Sequence, residues 1–380
     1  MNNPIRVWRE LKDIYLKYID SGLPLIDKRY IQERRELYEE AGAICQPPII
    51  ELVPKYKEVA SLSEVCNELS INKEFADFAR LGLFPDSENG ERKLYEHQKD
   101  ALKSAFVERK HIVATTGTGS GKTECFLLPI IADLVEESKD WDENRTRAVR
   151  SLILYPLNAL AEDQMIRLRK SLNSKFDDGS GVRNWLDDNR NGHRFYFGRY
   201  TGKTPVSGKK TKAKQRKYEL EEKKHKDDWR AACQAFENNK LDYEDLLYHI
   251  PCMDDKSAEM WDRWSMQEEA PDILITNYSM LNIMLMREQE NELFESTKRW
   301  LEADENNVFH LVIDEMHTYR GTPGTEVAYL IRLLLDRLGL HPEHPQVQFL
   351  ASSASMENND RTKEYICSFF GLNNKLFIMV

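Results

Sequence analysis

"HIVATTGTGSGKTECFLLPI", residues 111–130, is the stretch that decides the fold. It starts with an apolar, partly β-branched run typical of a buried strand, continues through a glycine-rich loop, and ends in an apolar segment of helical character. A strand, a glycine-rich loop and a helix in this order form a phosphate-binding loop. The alternative, a glycine-rich turn that binds nothing, does not account for this context. The stretch therefore predicts an α/β protein that binds a nucleotide.

The loop supplies the groups that a polyphosphate requires. Its glycines let the backbone approach the anion and point N–H groups inward, and the start of the following helix adds a favourable field. Lys122 is expected to reach the β- and γ-phosphates, and the Thr123 hydroxyl to bind Mg²⁺. The other residues predicted to contact the nucleotide are Thr116, Gly117, Thr118, Gly119, Ser120 and Gly121. Thr116 stands where the strict pattern has glycine.

A second chemical signal lies in "HLVIDEMHTYRG", residues 310–321. Its apolar run ends in two adjacent carboxylates, whereas buried strands usually end in turn-forming residues. In a protein with a phosphate loop, an acid at a strand end reaches the Mg²⁺, and a neighbouring carboxylate orients the attacking water. We assign the first role to Asp314 and the second to Glu315, and count both as catalytic together with Lys122. His317 lies too far along the chain to act on the phosphate, and we assign it to coupling.

Six short β-rich runs occur after residue 90, and amphipathic helical segments separate most of them. This alternation predicts a parallel sheet with helices on both faces. The runs are residues 111–115, 151–155, 194–198, 272–276, 310–314 and 347–351.

The chain divides into regions of different composition. Residues 1–90 have mainly helical patterns and are predicted to form a helical accessory region, whereas residues 91–380 are predicted to form the nucleotide-binding lobe. Residues 206–270 interrupt that lobe with charge-rich sequence and are predicted to be a helical insertion. The basic run within it, from Lys209 to Lys217, is either a solvated helix face or a contact with a nucleic-acid backbone.

Composition restricts the class of protein. The net charge is −10, so any nucleic-acid site must be a local basic patch on an acidic body. The six cysteines include no C-x-x-C pair, which favours reduced thiols over a zinc site or disulfides. No stretch approaches the roughly 20 apolar residues of a membrane span, and the charged N-terminus does not resemble a signal peptide. These features predict a cytoplasmic protein without a membrane partner.

The motifs resemble those of superfamily 2 helicases of the D-E-x-H type, whose phosphate loop opens on a residue other than glycine. D-E-x-H occurs here at residues 314–317, and "LYEHQ" resembles the adenine-reading motif, in which Gln98 would pair with the adenine edge. "ASSAS", ending at Ser355, stands where the family has Ser-Ala-Thr. Residues 152–164, 197–205 and 271–281 resemble motifs Ia, Ib and Ic. The resemblance is closest to the mitomycin-repair and Lhr-like bacterial branch, and the N-terminal residues resemble large antiphage helicases of the Druantia type.

This resemblance implies the first RecA-like lobe of an ATP-dependent nucleic-acid helicase, with ATP and Mg²⁺ as cofactors. It implies that His317, Ser353 and Ser355 couple the nucleotide to the nucleic acid. Motifs Ia, Ib and Ic would line a track that contacts phosphates without reading sequence, with DNA favoured over RNA. The residues expected on this track are Pro156, Asn158, Gly202, Lys203, Thr276, Asn277 and Tyr278. Tyr319 and Arg320 could contact the strand or form a structural plug, and the sequence leaves both possibilities open.

Helicases of this superfamily bind ATP between two RecA-like lobes, and the second lobe supplies a stabilising arginine. After Ser355 only about 25 residues remain, enough for a helix and one strand. We therefore expect a second lobe, in a longer chain or a partner subunit, to complete the enzyme, and this chain alone to hydrolyse ATP weakly or not at all. The alternative function is a recruitment or switch module that binds ATP and nucleic acid without hydrolysis. A P-loop kinase or transport ATPase would not need motifs Ia and Ic.

Overall fold

The computed structural model describes residues 3–40, 42–46, 55–87, 90–117, 119–156, 158–174, 181–237, 244–373 and 377–380. The chain separates into two compact units, Met1–Lys55 and Tyr56–Val380. The second unit contains the phosphate loop and both carboxylates of the D-E-x-H motif.

The first unit contains two helices, α1 (Pro4–Gly22) and α2 (Lys28–Glu39). Asn3 caps α1 by accepting a hydrogen bond from the Ile5 N–H, and proline at the first helical position has the backbone angle that a helix start requires. The guanidinium groups of Arg34 and Arg35, on α2, both pair with Asp20 on α1. The predicted N-terminal helix is thus present, and charged side chains connect it to the next one.

Within the described residues, the second unit contains ten strands and twelve α-helices. The strands β1 to β10 are Glu58–Ser61, Lys93–Tyr95, His111–Ala114, Ser151–Tyr155, Phe197–Tyr200, Glu259–Met260, Ile273–Asn277, Phe309–Ile313, Val347–Ser352 and Phe377–Met379. The helices α3 to α14 are Leu62–Leu69, Lys73–Arg80, Glu96–Leu102, Lys122–Glu137, Asn158–Asn173, Val182–Asn189, Lys212–Glu237, Arg263–Glu268, Tyr278–Met286, Asn291–Ala303, Gly321–Arg337 and Asp360–Phe370. None of the helices in the described ranges is both long and apolar enough to cross a bilayer.

Eight of these strands form one parallel sheet, in the order β10-β3-β9-β8-β4-β7-β5-β6. Strands β1 and β2 form a separate antiparallel pair. The predicted fold class, a parallel α/β sheet with helices on both faces and a helical N-terminal region, is confirmed.

The two faces of the sheet bury different residues of the same strands. In β4, Ile153 and Tyr155 pack in one core with helices α3 to α8, whereas Leu152 and Leu154 pack in the other with helices α10 to α14. Successive strand residues point to opposite faces, so a strand that is covered on both sides must be apolar throughout. This explains why "SLILY" is a continuous apolar run.

The order of the strands brings the two chemical motifs together. Strand β9 lies between β3, which leads into the phosphate loop, and β8, which ends before Asp314. All three strands are parallel, so the loops that follow them meet at the carboxyl edge of the sheet, where ligands of open α/β sheets bind. Motifs separated by about 190 residues in sequence are therefore neighbours across one intervening strand.

Two regions differ from the predicted organisation. The compact units divide at residue 55 rather than at residue 90, because β1 pairs with β2 and the buried side chains of Phe75 and Phe78 share a core with α6. The charged insertion, residues 206–270, contains the 26-residue helix α9, as expected, but it also contributes the short edge strand β6 and helix α10. Its charge-rich composition gave no sign of a strand.

Candidate nucleotide site

The phosphate loop runs from the end of β3 to the start of α6, as its glycines require. Gly119 and Gly121 have φ angles of +77° and +78°, a conformation that side-chain-bearing residues rarely adopt. A Cβ atom at Gly121 would also overlap the Nε2 atom of Gln98. Inside the loop, the Thr116 and Ser120 hydroxyls lie 2.6 Å apart, and Ser120 donates to the Gly117 carbonyl oxygen at 2.8 Å. Thr118 lies outside the described residues.

Lys122 is the first residue of α6, and its ammonium nitrogen is buried without a hydrogen-bond partner among the residues that the structure describes. The next side chain, Thr123, places its hydroxyl oxygen 3.5 Å from the Gln164 Nε2 atom. A buried cation without a partner is unfavourable unless an anion completes its environment. A polyphosphate in the loop would supply that anion.

Asp314 and Glu315 follow β8 directly and are held by the end of β9. The Ser352 hydroxyl donates to Asp314 Oδ1, and the Glu315 N–H lies 2.9 Å from the same oxygen and 3.3 Å from the Ser352 hydroxyl. Glu315 has φ +51° and ψ +47°, which is uncommon for a residue other than glycine. Backbone strain of this kind occurs preferentially at functional sites. These contacts fix the direction in which the Asp314 carboxylate points.

Tyr155, at the end of β4, lies on the other side of Asp314. Its hydroxyl is buried, and its pKa is raised well above the usual value, first by burial and then by the negative charge of Asp314. The ring therefore stays neutral at any physiological pH.

His317 contacts both strand ends that carry the remaining motifs. Its Nδ1 atom lies 3.2 Å from Glu315 Oε2 and 3.3 Å from the Ser353 hydroxyl. The Ser355 N–H in turn lies 3.4 Å from the Ser353 hydroxyl. The three residues predicted to act in coupling thus form one connected chain of contacts that begins at Glu315.

The Gln98 side chain is buried and contacts the phosphate loop. Its side chain is fully buried; Oε1 accepts from the Tyr95 N–H at 3.0 Å, and Nε2 donates to the Gly121 carbonyl oxygen at 3.2 Å. The sequence predicted that this amide would pair with an adenine edge. In this structure such pairing would require both hydrogen bonds to be released.

Tyr56 is a neighbour of the loop that the sequence did not reveal. Its hydroxyl lies 2.9 Å from the position that a Cβ atom of Gly117 would occupy, and its ring packs against those of Tyr95 and His97, with centroids 5.6 and 5.3 Å away. The His97 ring also lies 2.8 Å from the Ser120 carbonyl oxygen. No local motif marks Tyr56, because the pairing of β1 with β2 brings it to the loop.

The residues predicted to contact nucleic acid lie at or just after the carboxyl ends of β4, β5 and β7, but they differ in accessibility. Gly202, Lys203 and Tyr278 are exposed. Thr276 is fully buried, and its hydroxyl donates to the Tyr200 carbonyl oxygen at 2.7 Å, so it joins two strands instead of facing a ligand. Asn277 caps α11 by accepting from the Met280 N–H at 2.8 Å.

Two further predicted track residues follow β4. Pro156 is half-buried directly after the strand, and Asn158 is the first residue of α7, although its side chain is outside what the structure describes. Of the two residues that the sequence left open, Tyr319 is buried, and its carbonyl oxygen accepts a hydrogen bond from the Tyr365 hydroxyl. Arg320 is exposed. Tyr319 therefore has the surroundings of a structural plug.

The protein oxygens at this site fit a magnesium ion that takes most of its ligands from the phosphates of a bound nucleotide. In the described part of the chain, no group of three or more His, Cys, Asp or Glu side chains could hold a metal ion. Mg²⁺ in nucleotide sites usually uses one or two protein oxygens and takes its other ligands from phosphates and water. The Thr123 hydroxyl and the Asp314 carboxylate are oxygens of this kind, and no all-protein cage is required.

Several known proteins that resemble this chain are helicases. Residues 95–190 match the profile of the DEAD/DEAH box helicase family. The Druantia protein DruE of Escherichia coli (strain UMEA 4076-1) is 32% identical over 98% of this chain and 22% of its own length. An uncharacterized ATP-dependent helicase of Methanocaldococcus jannaschii is 26% identical over 73% of this chain and 28% of its own length. The chain thus spans less than a third of these relatives.

Among solved structures, the DUF1998 helicase MrfA bound to DNA and AMPPNP matches with a TM-score of 0.49 and 20% identity, over 92% of this chain and 33% of that one. The family match begins at Tyr95, beside Gln98, and extends through the phosphate loop and β4. Sequence similarity also extends beyond the matched profile, over 98% of the chain for the Druantia protein and 73% for the archaeal helicase. The chain is therefore similar to DEAD/DEAH box helicases over residues 95–190 and to the Druantia protein over nearly its whole length.

Proposed function

We propose that this chain is the ATP-binding lobe of a nucleic-acid helicase or translocase, and that it hydrolyses ATP when a second RecA-like lobe completes the site. The observation that carries the proposal is the buried Lys122 ammonium of the phosphate loop, which has no hydrogen-bond partner in the described part of the chain. The loop lies at the same edge of the sheet as the fixed Asp314 carboxylate. A structural lysine in that position would be paired or exposed.

Each side chain has a defined task in this proposal. Lys122 and the loop N–H groups bind the β- and γ-phosphates, and Gln98 holds the loop in the required shape through the Gly121 carbonyl oxygen. Thr123 and Asp314 would hold Mg²⁺, which neutralises phosphate charge when bound. Glu315 orients the attacking water and accepts its proton, and the Ser352 hydroxyl holds the Asp314 carboxylate in place.

The link between hydrolysis and nucleic acid runs through His317 in this proposal. The imidazole contacts Glu315 and Ser353, which belong to neighbouring strand ends. A shift of either strand end, caused by the second lobe or by a bound strand, would therefore change the position of the carboxylate. The nucleic-acid strand, DNA in preference to RNA, would contact the exposed residues Lys203 and Tyr278.

The similarity to the Druantia protein DruE supports extending the proposal to antiphage defence. The relatives are several times longer than this chain, and we propose that their remaining length supplies the second lobe. The lobe would then act as one part of a larger DNA-handling machine.

The nucleotide part of the proposal can be tested by calorimetric titration with ATP and Mg²⁺. Lys122→Ala should abolish binding, whereas Lys203→Ala, which removes an exposed lysine outside the loop, should leave it unchanged. Far-ultraviolet circular dichroism of each variant checks that the fold is intact. Equal affinity of wild type and Lys122→Ala would refute the assignment of the loop.

A further inference from the structure

One segment of this acidic chain is strongly basic and contains no acid. Residues 203–217 include seven lysine or arginine side chains and neither aspartate nor glutamate, although the whole chain has a net charge of −10. The segment starts just after β5 ends at Tyr200, beside the proposed track, and continues into the first turns of α9. It is therefore the kind of local basic patch that an acidic protein needs in order to bind nucleic acid. Its basic residues are Lys203, Lys209, Lys210, Lys212, Lys214, Arg216 and Lys217.

The two parts of α9 differ in how their charges are arranged. After Tyr218, acids and bases are mixed, and Lys226 pairs with Glu222 at 2.8 Å, which is the pattern of a solvated helix face. The first turn, in contrast, contains Lys212 and Lys214 and no acidic residue. Positive charge at the start of a helix opposes the helix dipole and lowers the stability of the helix. The first part of α9 therefore does not have the charge pattern of a solvated face.

Several basic side chains of the segment are available to a ligand. Lys209, Lys212 and Arg216 are exposed, and none of them forms an ion pair or side-chain hydrogen bond with a residue that the structure describes. Lys212 and Arg216 are four positions apart on α9, so their charges lie on the same side of the helix. Lys210 and Lys217, in contrast, pair with carboxylates. Three unpaired cations thus stand close together in sequence on one end of the insertion.

The backbone of the segment is held in place by the region around α10. The buried Trp264 donates a hydrogen bond from its indole N–H to the Gly208 carbonyl oxygen at 2.9 Å. On α9, the Tyr218 ring packs against Trp261 and Trp264, with centroids 5.1 and 5.6 Å away. The exposed cations therefore extend from a fixed backbone, which reduces the entropy that is lost when they bind phosphates.

The composition of the segment suits a duplex better than a single strand. Proteins that bind single strands combine positive charge with aromatic side chains on which the bases stack. Residues 203–217 contain no aromatic residue, and the next one, Tyr218, is packed against the two tryptophans. A duplex needs no such stacking surface, because its bases stack on one another and its charged phosphates lie on the outside.

We propose that residues 203–217 bind the phosphate backbone of a nucleic-acid duplex that adjoins the single strand on the track. Lys209, Lys212 and Arg216 each contact a phosphate, and Lys203 lies where the segment meets the track. The lobe then binds a junction between single-stranded and double-stranded nucleic acid. This inference rests on the proposed function, because it extends the same nucleic-acid path onto the insertion.

The test measures filter binding of the chain over a range of salt concentrations to two probes. One is a DNA duplex with a single-stranded tail at each end, and the other is the single strand alone. In the triple variant Lys209→Gln, Lys212→Gln, Arg216→Gln, the slope of log affinity against log salt for the tailed duplex should become shallower by about 2.7, since each lost phosphate contact removes about 0.9. The slope for the single strand should equal that of wild type.

A matched control removes three positive charges from exposed positions in the mixed part of the same helix. The variant Lys223→Gln, Lys224→Gln, Arg230→Gln should bind both probes like wild type. The same loss in both triple variants would indicate a general effect of charge and would overturn the inference. Circular dichroism and titration with ATP and Mg²⁺ check that each variant keeps its fold and its nucleotide site.

The remaining outcomes separate this inference from the proposed function. An unchanged slope for the tailed duplex in the first variant, with single-strand binding intact, would overturn the inference and leave the proposed function standing. An equal loss on both probes would assign the segment to the single strand and overturn its assignment to a duplex. Failure of wild type to bind either probe would overturn the inference together with the nucleic-acid part of the proposed function.

Discussion

Replacing Lys122 with methionine should stabilise the nucleotide-free protein even though it removes nucleotide binding. Methionine keeps an unbranched apolar side chain in the same place, and only the ammonium group is lost. That group is buried, and none of the described residues forms a hydrogen bond with it. Since an unpaired buried polar group costs about 1–3 kcal/mol, we expect the free energy of unfolding to rise by about 1–3 kcal/mol in the variant.

Saturating nucleotide should reverse this order. A ligand present at about 1,000 times its dissociation constant stabilises the folded state by about 4.1 kcal/mol, and only wild type can bind it. Wild type should therefore be less stable than Lys122→Met without ATP and more stable with ATP and Mg²⁺. The two proteins exchange rank because the residue that binds phosphate is unfavourable when no phosphate is present.

Urea-induced unfolding, followed by circular dichroism with and without ATP and Mg²⁺, measures both free energies. Lys203→Met serves as a matched control, since it makes the same chemical change at an exposed lysine and should alter neither value by more than about 0.5 kcal/mol. If Lys122→Met were as stable as wild type or less stable without nucleotide, the ammonium group would have a partner in the free protein, and the reasoning from its burial would fail.

Further outcomes are expected from the same structure. In the two-lobed enzyme, Glu315→Gln should bind ATP but lose about a hundredfold or more of single-turnover hydrolysis, and near-normal hydrolysis would remove this carboxylate from catalysis. In filter binding, nucleic-acid affinity should fall with added salt and in Lys203→Ala, and it should be equal for a sequence and its scramble. A preference for one sequence that persists at high salt would contradict binding through backbone contacts. Tyr319→Phe removes a buried hydroxyl that has no partner among the described residues, and it should leave nucleic-acid binding and stability unchanged. Tyr319→Ala also removes the ring and should lower the free energy of unfolding by about 3–5 kcal/mol. Loss of nucleic-acid binding in Tyr319→Phe would show that the hydroxyl contacts the strand. Burial lowers the pKa of His111 from 6.5 to about 4, so between pH 6.5 and about 4 the unfolded state binds more protons than the folded state. The free energy of unfolding should therefore decline as pH falls through this range. Urea titrations at each pH should show a shallower decline in His111→Gln.

The fold could be predicted from sequence because its signals are local. Five of the six predicted β-rich runs overlap the observed strands to within one residue at each end, since each is a short apolar run bounded by polar or glycine-rich sequence. The run at residues 194–198 was placed too early, because its strand begins at Phe197. The helix and strand expected after Ser355 are α14 and β10.

The roles of individual site residues were harder to predict, because they depend on contacts between distant segments. Thr276 looks like a loop residue in sequence, but pairing of β7 with β5 places its hydroxyl inside the sheet. Tyr56 lies 42 positions before Gln98 in a region that reads as helical, and only the pairing of β1 with β2 brings it to the phosphate loop. The site assignments that follow from the motifs alone therefore stay predictions until binding is measured.

The position of β3 in the sheet has a consequence for how the protein is made. Its two partners, β9 and β10, begin at Val347 and Phe377, more than 230 residues after β3 in the chain. A ribosome adding about 5–20 residues per second needs roughly 12–50 s to reach them, and during that time the strand that carries the phosphate loop has no neighbour to pair with. Strands β4, β5 and β7 can associate earlier, so the nucleotide site is the last part of the sheet to assemble. Nucleotide cannot assist folding before that point, and the exposed apolar edge of β3 is where a chaperone would be needed during synthesis.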